Sequence, residues 1–188
     1  MDKFIIPVVI IGSQSVGKTS IALRFCKNVF DEKYTATLGS DFFTKDSVVD
    51  GRLITFHVWD IGGQKQYDRE RQNYLRFPYI VIVVFSIDDV ASFVELDNWI
   101  DDVRSIAKNN PAIILVANKI DLRVAKTGCI TSEQLRSRAE ELNCDYAIET
   151  SAKDGTGIIE IFETAGRAAA NRTSFEMQPF SKMVMPTN

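Results

Sequence analysis

Apolar runs and polar, glycine-marked breaks alternate along the chain. Residues 4–11 are almost unbroken apolar sequence, as in a strand buried on both faces. Pro7 lies inside this run. Proline has no N–H to give a sheet and is confined to strand starts, edges or bulges, so the strand is expected to begin near Pro7 or to lose one hydrogen bond there. Residues 17–27 carry apolar side chains at helical spacing, and residues 28–39 have no period and read as a loop. Two strands, 41–48 and 53–59, flank Asp50-Gly51, a strong hairpin signal. The second is expected to break at Asp60-Ile61-Gly62-Gly63. Residues 65–76 are polar and charged, a loose helix. Residues 79–86 and 112–117 are continuous apolar runs and read as buried strands. Between them, Phe93, Leu96, Ile100, Val103 and Ile106 predict one helix over 89–109. Thr131 and Gln134 form a capping-box signature for a further helix. A short strand over 145–149 and a last helix over 158–170 complete the pattern. Such alternation predicts an α/β fold: a mostly parallel six-stranded sheet with helices on both faces, the hairpin adding one antiparallel edge strand.

The chain has 188 residues, 45% of them hydrophobic and 25% charged, which suits one domain with a single sizeable core. A domain over 1–170 is expected, followed by a tail over 171–188 that lacks periodicity and contains Pro179 and Pro186. The net charge of −3 argues against nucleic acid as a partner, since such surfaces are strongly basic. Cys26, Cys129 and Cys144 are widely spaced, a pattern of reduced thiols and not of a disulfide framework or zinc site. The run at 4–11 is too short to span a membrane. His57 is the single histidine. It alternates with apolar neighbours and reads as a strand surface residue, and with one histidine a multi-histidine metal site is excluded.

The most informative stretch is Gly12-Ser13-Gln14-Ser15-Val16-Gly17-Lys18-Thr19, a full match to the P-loop pattern, set between a strand and a helix start as that motif requires. Its backbone N–H groups and the helix N-terminus make a cradle for polyphosphate. Lys18 is placed to reach the β- and γ-phosphates, and the Thr19 hydroxyl to ligate Mg²⁺. The expected architecture is thus the three-layer sandwich of P-loop NTPases. Asn118-Lys119-Ile120-Asp121 follows one buried strand and Thr150-Ser151-Ala152-Lys153 follows another, so both emerge at the carboxyl edge of the sheet, beside the P-loop. Asp121 can accept both donors of guanine, whereas adenine would leave its charge unpaired. The Ala152 N–H can donate to guanine O6. A small-molecule kinase would also use a P-loop, but it would need an adenine pocket and lid arginines.

These motifs, with Thr37 in Thr37-Leu38-Gly39 and Asp60 in Trp59-Asp60-Ile61-Gly62-Gly63-Gln64, resemble in order and spacing those of the Ras-like small GTPases over residues 4–170. Residues 37–42 are similar to the Rab subfamily, whereas Tyr67-Asp68-Arg69-Glu70-Arg71 looks more like Rho. The short stretch between Leu122 and Thr131 leaves no room for the extra Rho helix, so the chain reads as Rab-like. The resemblance implies a switch that binds GTP or GDP with Mg²⁺ and hydrolyses GTP slowly. By position it implies nucleotide contacts at Ser15, Val16, Gly17, Lys18, Thr19, Ser20, Phe30, Tyr34, Thr37, Gly63, Asn118, Lys119, Asp121, Ser151, Ala152 and Lys153. It implies metal contacts at Thr19, Thr37 and, through water, Asp60, and catalytic roles for Gln64, Lys18 and Thr37. Residues 31–42 and 62–76 become the two switches, the docking sites for effector, exchange-factor and GTPase-activating proteins on a monomer. The implied role is control of vesicle traffic from the cytoplasm or the cytosolic face of an endomembrane. A Ras- or Rho-type signalling role is the alternative.

Three positions depart from the pattern. Gly62 stands where Ras and Rab proteins usually have alanine, and Gln14 stands beside the γ-phosphate position, where Ras has glycine. Both keep open a pseudo-GTPase that holds nucleotide without turnover. No cysteine follows Cys144, whereas Rab proteins normally end in prenylated cysteines, so membrane association is left open.

Overall fold

The computed structural model describes residues 4–32, 37–64 and 68–172. Six strands form one sheet in the order β2-β3-β1-β4-β5-β6: β1 Phe4–Ile11, β2 Ser40–Val49, β3 Arg52–Ile61, β4 Ile80–Ser86, β5 Ala112–Asn118 and β6 Tyr146–Glu149. All neighbours run parallel except the β2–β3 hairpin, as the α/β pattern predicts. The hairpin turns at Asp50 and Gly51, with φ of 47° and 77°, the left-handed pair that a two-residue turn of matching twist demands.

Each central strand sends alternate residues to opposite faces. Ile6, Val8 and Ile10 of β1 join one core with Phe25, Phe56 and Phe162, under helices α1 (Lys18–Lys27) and α6 (Ile158–Arg172). Val9 and Ile11 join a second core with Leu96, Ile100 and Leu135, under α4 (Leu96–Ile106) and α5 (Ser132–Glu141). The remaining helices are α2 (Asp68–Tyr74) and α3 (Val90–Val94), with a 3₁₀ turn over Ile120–Val124. Thr131 caps α5 through the reciprocal pair with Gln134, at 3.2 and 2.9 Å. Among the described residues no helix is long and apolar enough to cross a membrane.

The structure corrects four sequence expectations. β1 runs straight through Pro7, pairing with β3 from Phe4 onward, but it meets β4 only from Val8. The Pro7 carbonyl accepts from Tyr79 N–H at 3.2 Å, so the missing N–H of Pro7, on the same side, falls just ahead of the β4 ladder. The expected helix over 89–109 is two helices, joined at Glu95 with φ −71° and ψ −5°. β3 breaks at the paired glycines as expected but runs two residues past 59, carrying Asp60 and Ile61 in register with Asp41 and Ser40. Finally, α6 absorbs Asn171 and Arg172, and Arg172 pairs with Asp145 at 2.6 Å. The rest of the expected tail lies outside the described residues.

Candidate functional site

Four segments converge at the carboxyl edge of the sheet: the loop from Gly12 to Gly17 after β1, the end of β3, the turn after β5 and the turn after β6. The first loop is forced into shape by its glycines. Gly12 (φ 139°) has the Val84 carbonyl 2.1 Å from where a Cβ would sit, and Gly17 (φ 98°) has Asn118 Nδ2 at 2.2 Å. A side chain at either position collides with fixed atoms.

Lys18 begins α1, and its ammonium bends back into the loop, donating to the carbonyls of Gly12 at 2.8 Å and Ser13 at 2.7 Å. Burial pulls its pKa from 10.5 down to about 8, against the attraction of Asp60 and with the repulsion of Arg71. Thr19 Oγ1 lies 2.8 Å from Thr37 Oγ1 and donates to Asp60 Oδ2. Asp60 is fully buried, and burial pushes its pKa from 3.8 up to about 6, opposed by the Thr19 bond and Lys18. Its second oxygen, Oδ1, is buried with no hydrogen-bond partner. Two hydroxyls and a carboxylate with an unused buried oxygen are the hard oxygen donors that Mg²⁺ takes, so these residues fit the metal that the resemblance implies. Gly63 presses on the P-loop backbone, with Gly12 O 2.6 Å from an added Cβ, and Gln64 follows it in the chain.

At the other end is a cavity of about 430 Å³ lined by residues that include Ser15, Gly17, Phe30, Asn118, Asp121 and Lys153, within the size range of small-ligand pockets. Asn118 holds it together. Its Nδ2 donates to Val16 O at 2.9 Å, and its Oδ1 accepts from Thr150 Oγ1 at 3.1 Å and Ala152 N–H at 3.2 Å. One carboxamide thereby ties three loops. Asp121 Oδ1 accepts from Ser151 Oγ at 2.7 Å, which orients the carboxylate. Phe30 lines the cavity with the Arg24 guanidinium 5.9 Å from its ring centre. Lys153 pairs with Glu32 at 3.0 Å. Ser20 and Lys119 also line the cavity, and Val16 is buried beneath the loop. The expected role of Ala152 N–H toward a base requires exchange of its bond to Asn118. Tyr34 lies outside the described residues, as does part of each expected switch.

Sequence reasoning missed the Asn118 tie and the contact of Ser13 with Glu95 and Trp99. Neither has a local signal, since the partners are brought together only by the sheet order. The Ras family model matches residues 7–171 of the chain.

Proposed function

The chain belongs to the Ras family, a GTP-binding small GTPase, and from that premise we propose that it is a Mg²⁺-dependent, Rab-like switch with slow intrinsic hydrolysis. It would regulate vesicle traffic through effectors that read the nucleotide state of its switches. The observation that carries the Mg²⁺-dependent reading is the convergence of Thr19, Thr37 and the orphaned Asp60 oxygen beside Lys18. Bound there, Mg²⁺ would offset charge that develops on the transferred phosphoryl group.

The chain's own groups take the remaining roles. Lys18 holds the β- and γ-phosphates in a dry site where its charge is poorly screened. Gly63 follows the γ-phosphate with its backbone. The Gln64 carboxamide accepts from the attacking water and orients it in line. Asp121, held by Ser151, accepts from the guanine N1–H and amine. No arginine finger is evident in the sequence, so an activating partner would supply one.

The Rab-like reading is supported by an aromatic row across the two switch regions. Phe42 on β2 packs on Trp59 at 4.3 Å, and Trp59 on Tyr74 of α2 at 4.8 Å. Ser40 Oγ lies 3.0 Å from Tyr74 OH, and Gly62 N–H donates to Gly39 O at 2.8 Å. A surface stitched in this way changes when either switch moves, which is what a state-reading partner needs. Single-turnover hydrolysis of GTP with and without Mg²⁺ and a Rab-directed GTPase-activating protein tests the reading. Metal-dependent, stimulated release of phosphate supports it. GTP held without turnover would make the chain a nucleotide-binding pseudo-GTPase.

A further inference from the structure

Ser13 sits inside the P-loop and is used twice. Its carbonyl accepts from Lys18 Nζ at 2.7 Å. Its hydroxyl donates to Glu95 Oε2 at 2.5 Å and accepts from Trp99 Nε1 at 3.2 Å. Glu95 is the joint between α3 and α4, and Trp99 lies one turn into α4, where its N–H donates to Glu95 O at 3.3 Å. Above the Trp99 ring, 4.4 Å from its centre, is the guanidinium of Arg71. Arg71 is a buried residue of α2 that also pairs with Asp102 of α4 at 3.0 Å. Glu95 and Trp99 are four residues apart, so their side chains lie on one face and reach the P-loop together.

We propose that Ser13, Glu95 and Trp99 form a positioning unit that fixes the Lys18 end of the P-loop and ties it to α2 through Arg71. None of the three touches the reacting atoms. They act through the Ser13 carbonyl, which with Gly12 O holds the ammonium of Lys18. The inference rests on the nucleotide-binding reading, because its consequence is retention of phosphates. A shift of α2 moves Arg71 on Trp99 and so loosens or tightens the clamp on Ser13. The phosphate end of the cleft therefore senses the position of α2 through Trp99 and Ser13, beside the direct contact that Gly63 makes with the P-loop.

The test is the dissociation rate of a fluorescent GDP analogue from the full chain, comparing the parent with Ser13→Ala, Glu95→Ala, their double variant and Glu95→Gln. Ser13→Ala and Glu95→Ala should each speed release about tenfold, the scale of one hydrogen bond to a charged group. The double variant should be no faster than either single, because both remove the same bond. Glu95→Gln, whose amide oxygen still accepts from Ser13, should stay within about threefold of the parent. The ratio of GDP to IDP affinity reads the base end and should not change. Arg71→Ala should speed release in the parent and have at most half that effect in the Ser13→Ala background.

Release from Ser13→Ala within twofold of the parent overturns the proposal, as does a double variant whose effect is the product of the singles. A shifted GDP-to-IDP ratio overturns it as well, since that signals general loosening. An Arg71→Ala effect equal in both backgrounds overturns the tie to α2. If Glu95→Ala does not fold, Ser13→Ala and Glu95→Gln decide the matter. A parent that binds no guanine nucleotide fails the underlying reading, and this proposal with it; a parent that binds normally while the variants match it fails this proposal alone.

Discussion

Replacing Asn118 with alanine strikes the point where three loops are tied. The side chain is 1% exposed and makes three hydrogen bonds, to Val16 O, Thr150 Oγ1 and Ala152 N–H. At about 1 kcal/mol net for each bond, the loss is roughly 3 kcal/mol. Ala152 N–H can recover part of it by turning to a base, while the space left against Gly17 adds to it, so the sum stands near that figure. This loss is shared between the stability of the empty protein and the affinity for nucleotide. Urea unfolding of the GDP-bound protein at fixed excess GDP reads the two together. The expected fall is about 3 kcal/mol, or about 6–12 °C in melting temperature for a domain of this size. A double-mutant cycle with Thr150→Ala should be strongly non-additive, because Thr150 is fully buried and its hydroxyl bonds the same oxygen. A fall below about 1 kcal/mol, or additivity within about 0.3 kcal/mol, would refute the argument that one carboxamide joins the loops.

Other perturbations test the two ends of the cleft. Asp121→Asn should move preference from guanine toward xanthine nucleotides, checked by competing XDP against GDP; no gain for XDP would remove Asp121 from base recognition. Thr19→Asn should weaken GTP more than GDP, since the metal matters most when the γ-phosphate is present; filter-binding affinities for both nucleotides would show it. Gln64→Leu should keep GTP affinity while partner-stimulated hydrolysis falls steeply, up to the roughly 10³–10⁵-fold that an arginine finger contributes in Ras-type enzymes; phosphate release in single-turnover mixing is the assay. Without nucleotide, Lys18 has a folded pKa of about 8 against 10.5 when exposed. The unfolded chain therefore binds more protons between these values, and this residue's contribution makes stability rise from about pH 8 to 10.5. Lys18→Met should flatten that rise relative to the parent in urea melts across the window.

The sheet was legible because β1, β4 and β5 are buried on both faces and so read as unbroken apolar runs. The hairpin was legible because Asp50-Gly51 accepts the left-handed turn that few other pairs accept. The ligand-facing groups were readable from short motifs whose glycines and carboxylates are demanded by local chemistry. The break at Glu95 was not, because Phe93, Leu96 and Ile100 keep a helical period across it. The residue at the joint, Glu95, accepts a hydrogen bond from Ser13, a partner far away in sequence. Pro7 misled for a related reason: whether a missing N–H matters depends on which neighbour the strand faces at that residue, and β4 joins one residue later. The tie at Asn118 joins residues far apart in sequence, which no local pattern encodes.

The cleft draws its walls from both ends of the domain, from Gly12 through to Lys153. During synthesis the P-loop therefore emerges long before Asn118, Asp121 and Ser151 exist to complete it. About 140 residues lie between Gly12 and Lys153; at 5–20 residues per second a ribosome needs roughly 7–30 s to cover them. For about the first half of that time, until β4 is made, β1 also lacks β3 or β4 on one side or both, so its apolar faces must be shielded by something other than their final partners. Nucleotide cannot guide the early steps of folding, because the base has nowhere to dock until β6 has left the ribosome. A nascent chain stalled before residue 150 should fail to retain GTP even though its phosphate-binding sequence is complete.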